Sequence, residues 1–186
     1  EIIEKGEQVL ILLPEISLTV DVKQRIMKRY GEMSGEWHSQ LSLNERRRVF
    51  KNVANGSLKL LVGARSALFL PFKNLSLIIV DEEHDPSYKQ EEAPIYNARD
   101  LAVLRASILK SQIILSSATP SIETWHNCRL GKYHKVDLLK RFGEVYEPRV
   151  TLIDMNIEET SKNSWISAPI IDQIKLSLEK KEQILI

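Results

Sequence analysis

Cysteine is nearly missing from this chain, with Cys128 the only one among 186 residues. An internal disulfide framework and a cysteine-rich zinc centre are thereby excluded, and the usage fits a reducing cytoplasm. Net charge is nearly missing too. Twenty-six Lys and Arg stand against 25 Asp and Glu, leaving +1 with histidine neutral. Wholesale polybasic binding is excluded, and any site for a polyanion must be local. No apolar run approaches the roughly 20 residues needed to cross a bilayer. The opening Glu1-Ile2-Ile3-Glu4-Lys5-Gly6 has neither an initiator Met nor the pattern of a signal peptide. No internal repeat or low-complexity tract occurs. Absent as well is any Gly-Lys-Ser or Gly-Lys-Thr, the end of a phosphate-cradling loop.

What is present suffices for one sizeable core, or one core and the start of a second, at 43% hydrophobic and 27% charged residues. The apolar runs are short and branched: Val9 to Leu13, Leu58 to Val62, Leu75 to Val80, Ile113 to Leu115, and later Val150 to Ile153. Such runs suit strands buried on both faces. Helical patterns lie between them. Leu18, Val22, Ile26 and Tyr30 stack along one face. Ser42 with Glu45 forms a capping box ahead of Leu43, Arg46, Phe50 and Val53. Asn97 with Asp100 starts a third helix in the same way, lined by Leu101, Leu104, Ile108 and Leu109. The alternation predicts an α/β fold with a mainly parallel sheet and helices on both faces. In such sheets ligands gather beyond the carboxyl ends of the strands.

After about residue 131 the texture changes, and Glu158 to Asn163 is wholly polar. Ser167 reads as an N-cap, with Pro169 in the first turn and Ile170, Ile174 and Leu178 as a stripe. Gln183 to Ile186 reads as the beginning of a strand, and the first residues as a helix tail ending at Gly6. Both ends therefore look like cuts through something longer. The expected organisation is a first domain over 1–131, a linker over 132–165, and the start of a second domain over 166–186.

The sharpest chemical feature is Leu77-Ile78-Ile79-Val80-Asp81-Glu82-Glu83-His84, an apolar strand that delivers carboxylates at its end. Asp81 there suits a Mg²⁺ ion held through its water shell beside a nucleotide's phosphates. Glu82 is placed to orient or deprotonate an attacking water. A solvated acidic turn is the plain alternative. A dinuclear metal site with His84 is a third, but it lacks a second ligand cluster. The next strand end, Ile114-Leu115-Ser116-Ser117-Ala118-Thr119-Pro120, carries hydroxyls that either bridge loops or merely cap the following helix. Leu12-Leu13-Pro14-Glu15-Ile16-Ser17-Leu18-Thr19 places hydroxyls at a helix start, where free N–H groups take a phosphate. Gly63-Ala64-Arg65-Ser66-Ala67-Leu68-Phe69 offers Arg65 and Ser66 in a small-residue turn. An ordinary cap and an ordinary surface charge are the bland readings of these two loops.

Taken in order, these segments, with His38-Ser39, Glu45-Arg46 and the stretch from Tyr88-Lys89-Gln90 to Tyr96-Asn97-Ala98-Arg99-Asp100, resemble the motor motifs of the PriA family. These are bacterial primosomal replication-restart helicases of superfamily 2, and the resemblance runs from residue 1 to 186. It implies that residues 1–131 are a RecA-like lobe without its phosphate loop and that 166–186 open a second such lobe. It implies ATP and Mg²⁺ as cofactors, with Asp81 engaging the metal through water, Glu82 positioning the hydrolytic water, and His84 coupling the nucleotide site to the loops beyond. Ser117 and Thr119 fall in the motif that links hydrolysis to strand movement. Pro14, Thr19, Arg65, Ser66 and Ala67 correspond to positions tracking one DNA strand. Tyr88, Lys89, Gln90, Tyr96 and Arg99 fall in a loop expected to sense single-stranded DNA, since aromatic faces stack on any base and nearby cations meet phosphates. If both tyrosines instead pack the loop against the sheet, that role lapses.

The same resemblance implies single-stranded and forked DNA, primosome proteins and single-stranded DNA-binding protein as partners, a cytoplasmic location and no membrane. It also implies zinc elsewhere in the whole protein, for which these 186 residues hold no cysteine cluster. A Gly-Lys-Thr loop is expected shortly before Glu1, and the segment by itself should hydrolyse ATP poorly. Another superfamily 2 translocase and a non-catalytic DNA-binding or scaffold module are the alternatives.

Overall fold

A computed structural model describes residues 1–14, 20–31, 34–139, 149–156 and 165–186. These form two compact units, Glu1–Lys135 and Val136–Ile186. The first holds strands β1 (Gln8–Leu12), β2 (Ser34–Trp37), β3 (Leu60–Gly63) and β4 (Leu75–Asp81), the two-residue strands β5 (Lys89–Gln90) and β6 (Tyr96–Asn97), and β7 (Gln112–Ser116). Its helices are α1 (Val20–Tyr30), α2 (Leu43–Asn55), α3 (Ala98–Leu109) and α4 (Ile122–Arg129), and the second unit holds α5 (Ala168–Glu179).

The five longer strands make a parallel sheet of order β2-β3-β1-β4-β7. This is the α/β architecture expected. Side chains alternate across the sheet with period two. Leu10, Leu12, Leu61, Ile78 and Val80 face a core shared with Val49 and Val53 of α2 and Ala98, Ala102 and Ala106 of α3. Val9, Leu13, Leu60 and Val62 face the other way, toward Ile2, Ile3, Ile26 and Tyr30. From β1 the chain builds β2 and β3 to one side and then crosses to β4 and β7 on the other. β1 and β4 thus flank a topological switch point.

The capping box of α2 is present: the Ser42 hydroxyl accepts from Glu45 N–H, and the Ser42 N–H donates to Glu45 Oε2 at 2.9 Å. At α3 only half of the expected box exists. The Asn97 side chain accepts from Arg99 N–H, while Asp100 turns to the Arg99 guanidinium. The buried face of α3 also differs from the leucine stripe expected. Ala98, Ala102 and Ala106 pack on the sheet, whereas Leu104 and Ile108 are exposed. Small side chains let the helix backbone lie close to β4, so the large ones turn outward.

β2, Ser-Gly-Glu-Trp, was invisible to an apolar-run criterion because an edge strand of this sheet needs little burial. Conversely, β7 is not covered on both faces, and Ile114 is half exposed among the described residues. Val150 to Ile153 form no strand: Val150 and Leu152 are largely exposed and no described strand pairs with them. Gln183 to Ile186 likewise carry no described strand pairing. In the second unit α5 begins after Ser167, whose side chain makes no capping bond to the helix.

Candidate functional site

β4 and β7 run side by side with Asp81 opposite Ser116, so their carboxyl ends present their next residues together. The Ser116 hydroxyl donates to Asp81 Oδ1 at 2.9 Å. The chain then turns abruptly, because Glu82 adopts the left-handed conformation with φ 47°. For a residue with a Cβ this costs about 1–2 kcal/mol, so the surroundings must enforce it. The Asp85 N–H donates to the Glu82 carbonyl at 2.8 Å, and the Glu83 N–H donates to the Ser116 carbonyl at 3.0 Å. Beyond the turn, His84 Nδ1 lies 2.7 Å from Ser117 Oγ and 3.5 Å from Glu82 Oε2. The Thr119 N–H donates to Ser117 Oγ at 3.0 Å. Glu82, His84 and Ser117 therefore meet at the imidazole, with the Thr119 N–H on Ser117, while Asp81 is joined to the neighbouring strand end through Ser116.

The donor set suits one metal class. No group of three metal-ligating side chains exists among the described residues, which argues against a cage for zinc or calcium. Mg²⁺ keeps most of its waters and needs only one or two carboxylates plus substrate phosphates. The half-exposed Asp81 at the end of β4 fits that requirement.

Glu83, to which sequence reasoning gave no role, is buried at 2% exposure. Its Oε1 accepts from the Ser121 N–H at 2.7 Å, and its Oε2 from the Ser121 and Thr124 hydroxyls, each at 2.9 Å. The Arg99 guanidinium completes the set at 3.3 Å. Burial works to raise the Glu83 carboxyl, but the donors from Ser121, Thr124 and Arg99 outweigh it and hold it below the usual carboxylate range. No spacing rule relates these residues. Only the fold brings residue 83, the start of α4 and the start of α3 to one point.

The loop between β4 and α3 departs from expectation. Tyr88 is buried at 1% exposure, and its hydroxyl lies 2.6 Å from the Asp81 carbonyl and 3.0 Å from that of Leu12. It bridges β1 and β4 at the switch point and is not available to stack on a base. Burial, with the carboxylates of Asp81, Asp85 and Glu82 behind it, pushes its phenol well above the ordinary value. Arg99 is likewise buried and spends its charge on Asp100 at 2.8 Å and on Glu83, so it does not present itself to a phosphate. The side chains of Pro14 and Ala67 are buried too, which leaves only backbone there for a strand to touch. Arg65 donates to the carbonyls of Ser87 at 2.9 Å and Lys89 at 3.1 Å, tying its loop to the β5–β6 hairpin. Ser66 is exposed and accepts from the Trp37 indole N–H at 3.2 Å, and Lys89 is exposed. Thr19 lies outside the described residues.

One aromatic pair was missed. The Phe69 and Tyr96 rings meet edge to face with centroids 5.2 Å apart, and Phe69 is 58% exposed. Phe69 stood inside a quoted motif, yet nothing in its spacing from Tyr96 relates the two.

Comparison with known proteins identifies the family. The DEAD/DEAH box helicase family matches residues 1–127. Proteins named replication restart protein PriA are 46% identical in Rickettsia felis, over 98% of this chain and 28% of the relative. Those of Haemophilus influenzae are 40% identical over 100% of this chain and 25% of the relative. Those of Bacillus subtilis are 38% identical over 98% and 23%. The chain thus spans about a quarter of the length of these relatives. The expected resemblance to PriA and the RecA-like character of the first unit both stand. A helicase domain of this kind implies the use of ATP and Mg²⁺. The parallel sheet accords with a family match over two thirds of the residues: the chain belongs to the DEAD/DEAH box helicase family.

Proposed function

We propose that the chain is part of an ATP-dependent DNA helicase that acts in the bacterial cytoplasm to restart stalled replication forks. In this reading residues 1–131 are the first motor lobe, 132–165 the crossing, and 166–186 the start of the second lobe. The whole protein would move 3′ to 5′ on single-stranded DNA, act on forked DNA, work with primosome proteins and single-stranded DNA-binding protein, and hold zinc outside these residues.

At the nucleotide, Asp81 would hold Mg²⁺ through its water shell. The metal, when bound, neutralises charge on the phosphates. Glu82 accepts a proton from, or orients, the attacking water, and its carboxylate stands 3.5 Å from the His84 imidazole. His84 bonds Ser117 and stands beside Glu82, so a shift of one strand end is felt at the other. Single-stranded DNA would meet backbone at Pro14 and Ala67, and side chains at Thr19, Arg65, Ser66 and Lys89. The Phe69–Tyr96 pair, with Phe69 exposed, takes the stacking place that the buried Tyr88 does not fill. Tyr88 and Arg99 serve that surface indirectly, by fixing the loop.

The single observation that carries the reading is the contact of His84 with both Ser117 and Glu82. The test is ATP hydrolysis and strand displacement by the full-length protein. Hydrolysis should rise on adding single-stranded DNA, and a forked duplex should be unwound. Hydrolysis indifferent to DNA would leave a non-motor role.

A further inference from the structure

Beyond the acidic pair at the end of β4 lies a second anchor point that the motor reading leaves unused. The loop from Asp85 to Ala98 leaves the fold at the Glu82 turn and re-enters it at the Glu83 side chain. At its departure, Asp85 N–H is bonded to the Glu82 carbonyl, and at its return, Arg99 is bonded to the Glu83 carboxylate. The same carboxylate accepts from Ser121 and Thr124 at the start of α4. Arg99 also donates to Ser121 Oγ at 2.7 Å, which closes the triangle. Glu83 is thus bonded to α3 and α4 while its own peptide N–H is bonded to the end of β7. The residue before it, Glu82, sits at φ 47°, a conformation that persists only where neighbours over-determine it.

We propose that Glu83 is a positioning residue: its buried bonds to Ser121, Thr124 and Arg99 hold the left-handed turn that aims Glu82, and they tie that turn to the start of α4 and to the point where the 85–98 loop returns. Displacement of the loop or of α4 pulls on Glu83 and through one peptide unit on Glu82. Glu83 touches neither nucleotide nor nucleic acid in this scheme. The inference rests on the motor reading and adds one residue to it, the buried carboxylate behind the water-positioning one.

The experiment compares the full-length protein with Glu83→Gln, which keeps size and one acceptor oxygen but faces the donors of Ser121, Thr124 and Arg99 with an amide. At saturating single-stranded DNA the variant should lose about tenfold in kcat, with KM for ATP within about twofold, because nucleotide contacts are intact and the aim of Glu82 is not. The DNA concentration for half-maximal stimulation should rise. A purely structural role would lower the melting temperature and the active fraction while leaving kcat per folded molecule and half-saturation in place, and that result overturns the inference. If Glu83→Gln does not fold, Thr124→Val, which removes one donor with little change of shape, decides. A loss of about threefold in stimulated kcat supports the inference, and wild-type kcat and half-saturation overturn it. A parent protein without DNA-stimulated hydrolysis overturns the motor reading and this inference with it. A normal parent beside an unimpaired variant overturns this inference alone.

Discussion

Single residues divide into those whose chemistry is visible from type and position and those whose role depends on burial. Asp81 and Glu82 belong to the first group, since an apolar run followed at once by two carboxylates places them at a strand end. Tyr88 belongs to the second. An aromatic beside a lysine in a loop reads as a stacking platform, yet here the ring is buried and the hydroxyl lies against two strand-end carbonyls. Tyr88→Phe should therefore cost about 1–2 kcal/mol of stability, as the Leu12 and Asp81 carbonyls lose the one hydroxyl proton they share. Thermal unfolding of the intact protein measures this, and half-saturation by single-stranded DNA should not move. Weaker DNA binding at an unchanged melting temperature would restore the stacking role. Glu83 and Arg99 were illegible for a related reason, since their partnership spans 16 residues and is made by the fold alone.

At the level of elements, periodicity gave the strands at the centre of the sheet and the start of α2, where local rules and tertiary packing agree. It misjudged α3, whose alanines are buried on the sheet while Leu104 and Ile108 turn outward, and it missed the polar edge strand β2. The end of β3 shows why the following loop is built as it is. A Cβ on Gly63 would stand 2.6 Å from the Trp37 carbonyl and 2.8 Å from the Ala67 Cβ, so β2, β3 and the Arg65–Phe69 turn approach closely only with glycine there. Gly63→Ala should destabilise by about 1–3 kcal/mol, the usual range for overpacking, read as a lower denaturant midpoint. It should also weaken DNA binding, because Arg65, Ser66 and Phe69 follow. The start of α4 carries a pH dependence. Glu83 titrates below its ordinary value in the folded protein, so the unfolded chain takes up the proton more readily. Its contribution to stability is full above about pH 4.3 and falls away as pH drops through the lower folded value. Melting temperature measured between about pH 3 and 6 should decline on the acid side, and Glu83→Gln should flatten that decline.

On the scale of the whole molecule, the family was legible because many weak motifs recur in one order, and the parallel sheet then gathers them at neighbouring strand ends. The near-neutral charge that excluded a polybasic chain is compatible with a strand-binding surface, since acidic residues collect at the end of β4 while the half-buried Arg65 follows β3 and the exposed Lys89 lies in β5. The central claim is that Glu82 is the water-positioning carboxylate of an ATP-driven motor. Its most direct test is Glu82→Gln in the full-length protein, with ATP affinity and DNA-stimulated turnover measured side by side. The account predicts ATP affinity within about threefold of the parent and turnover reduced by at least about a hundredfold, because the metal-holding Asp81 is untouched. Turnover equal to that of the parent would contradict it.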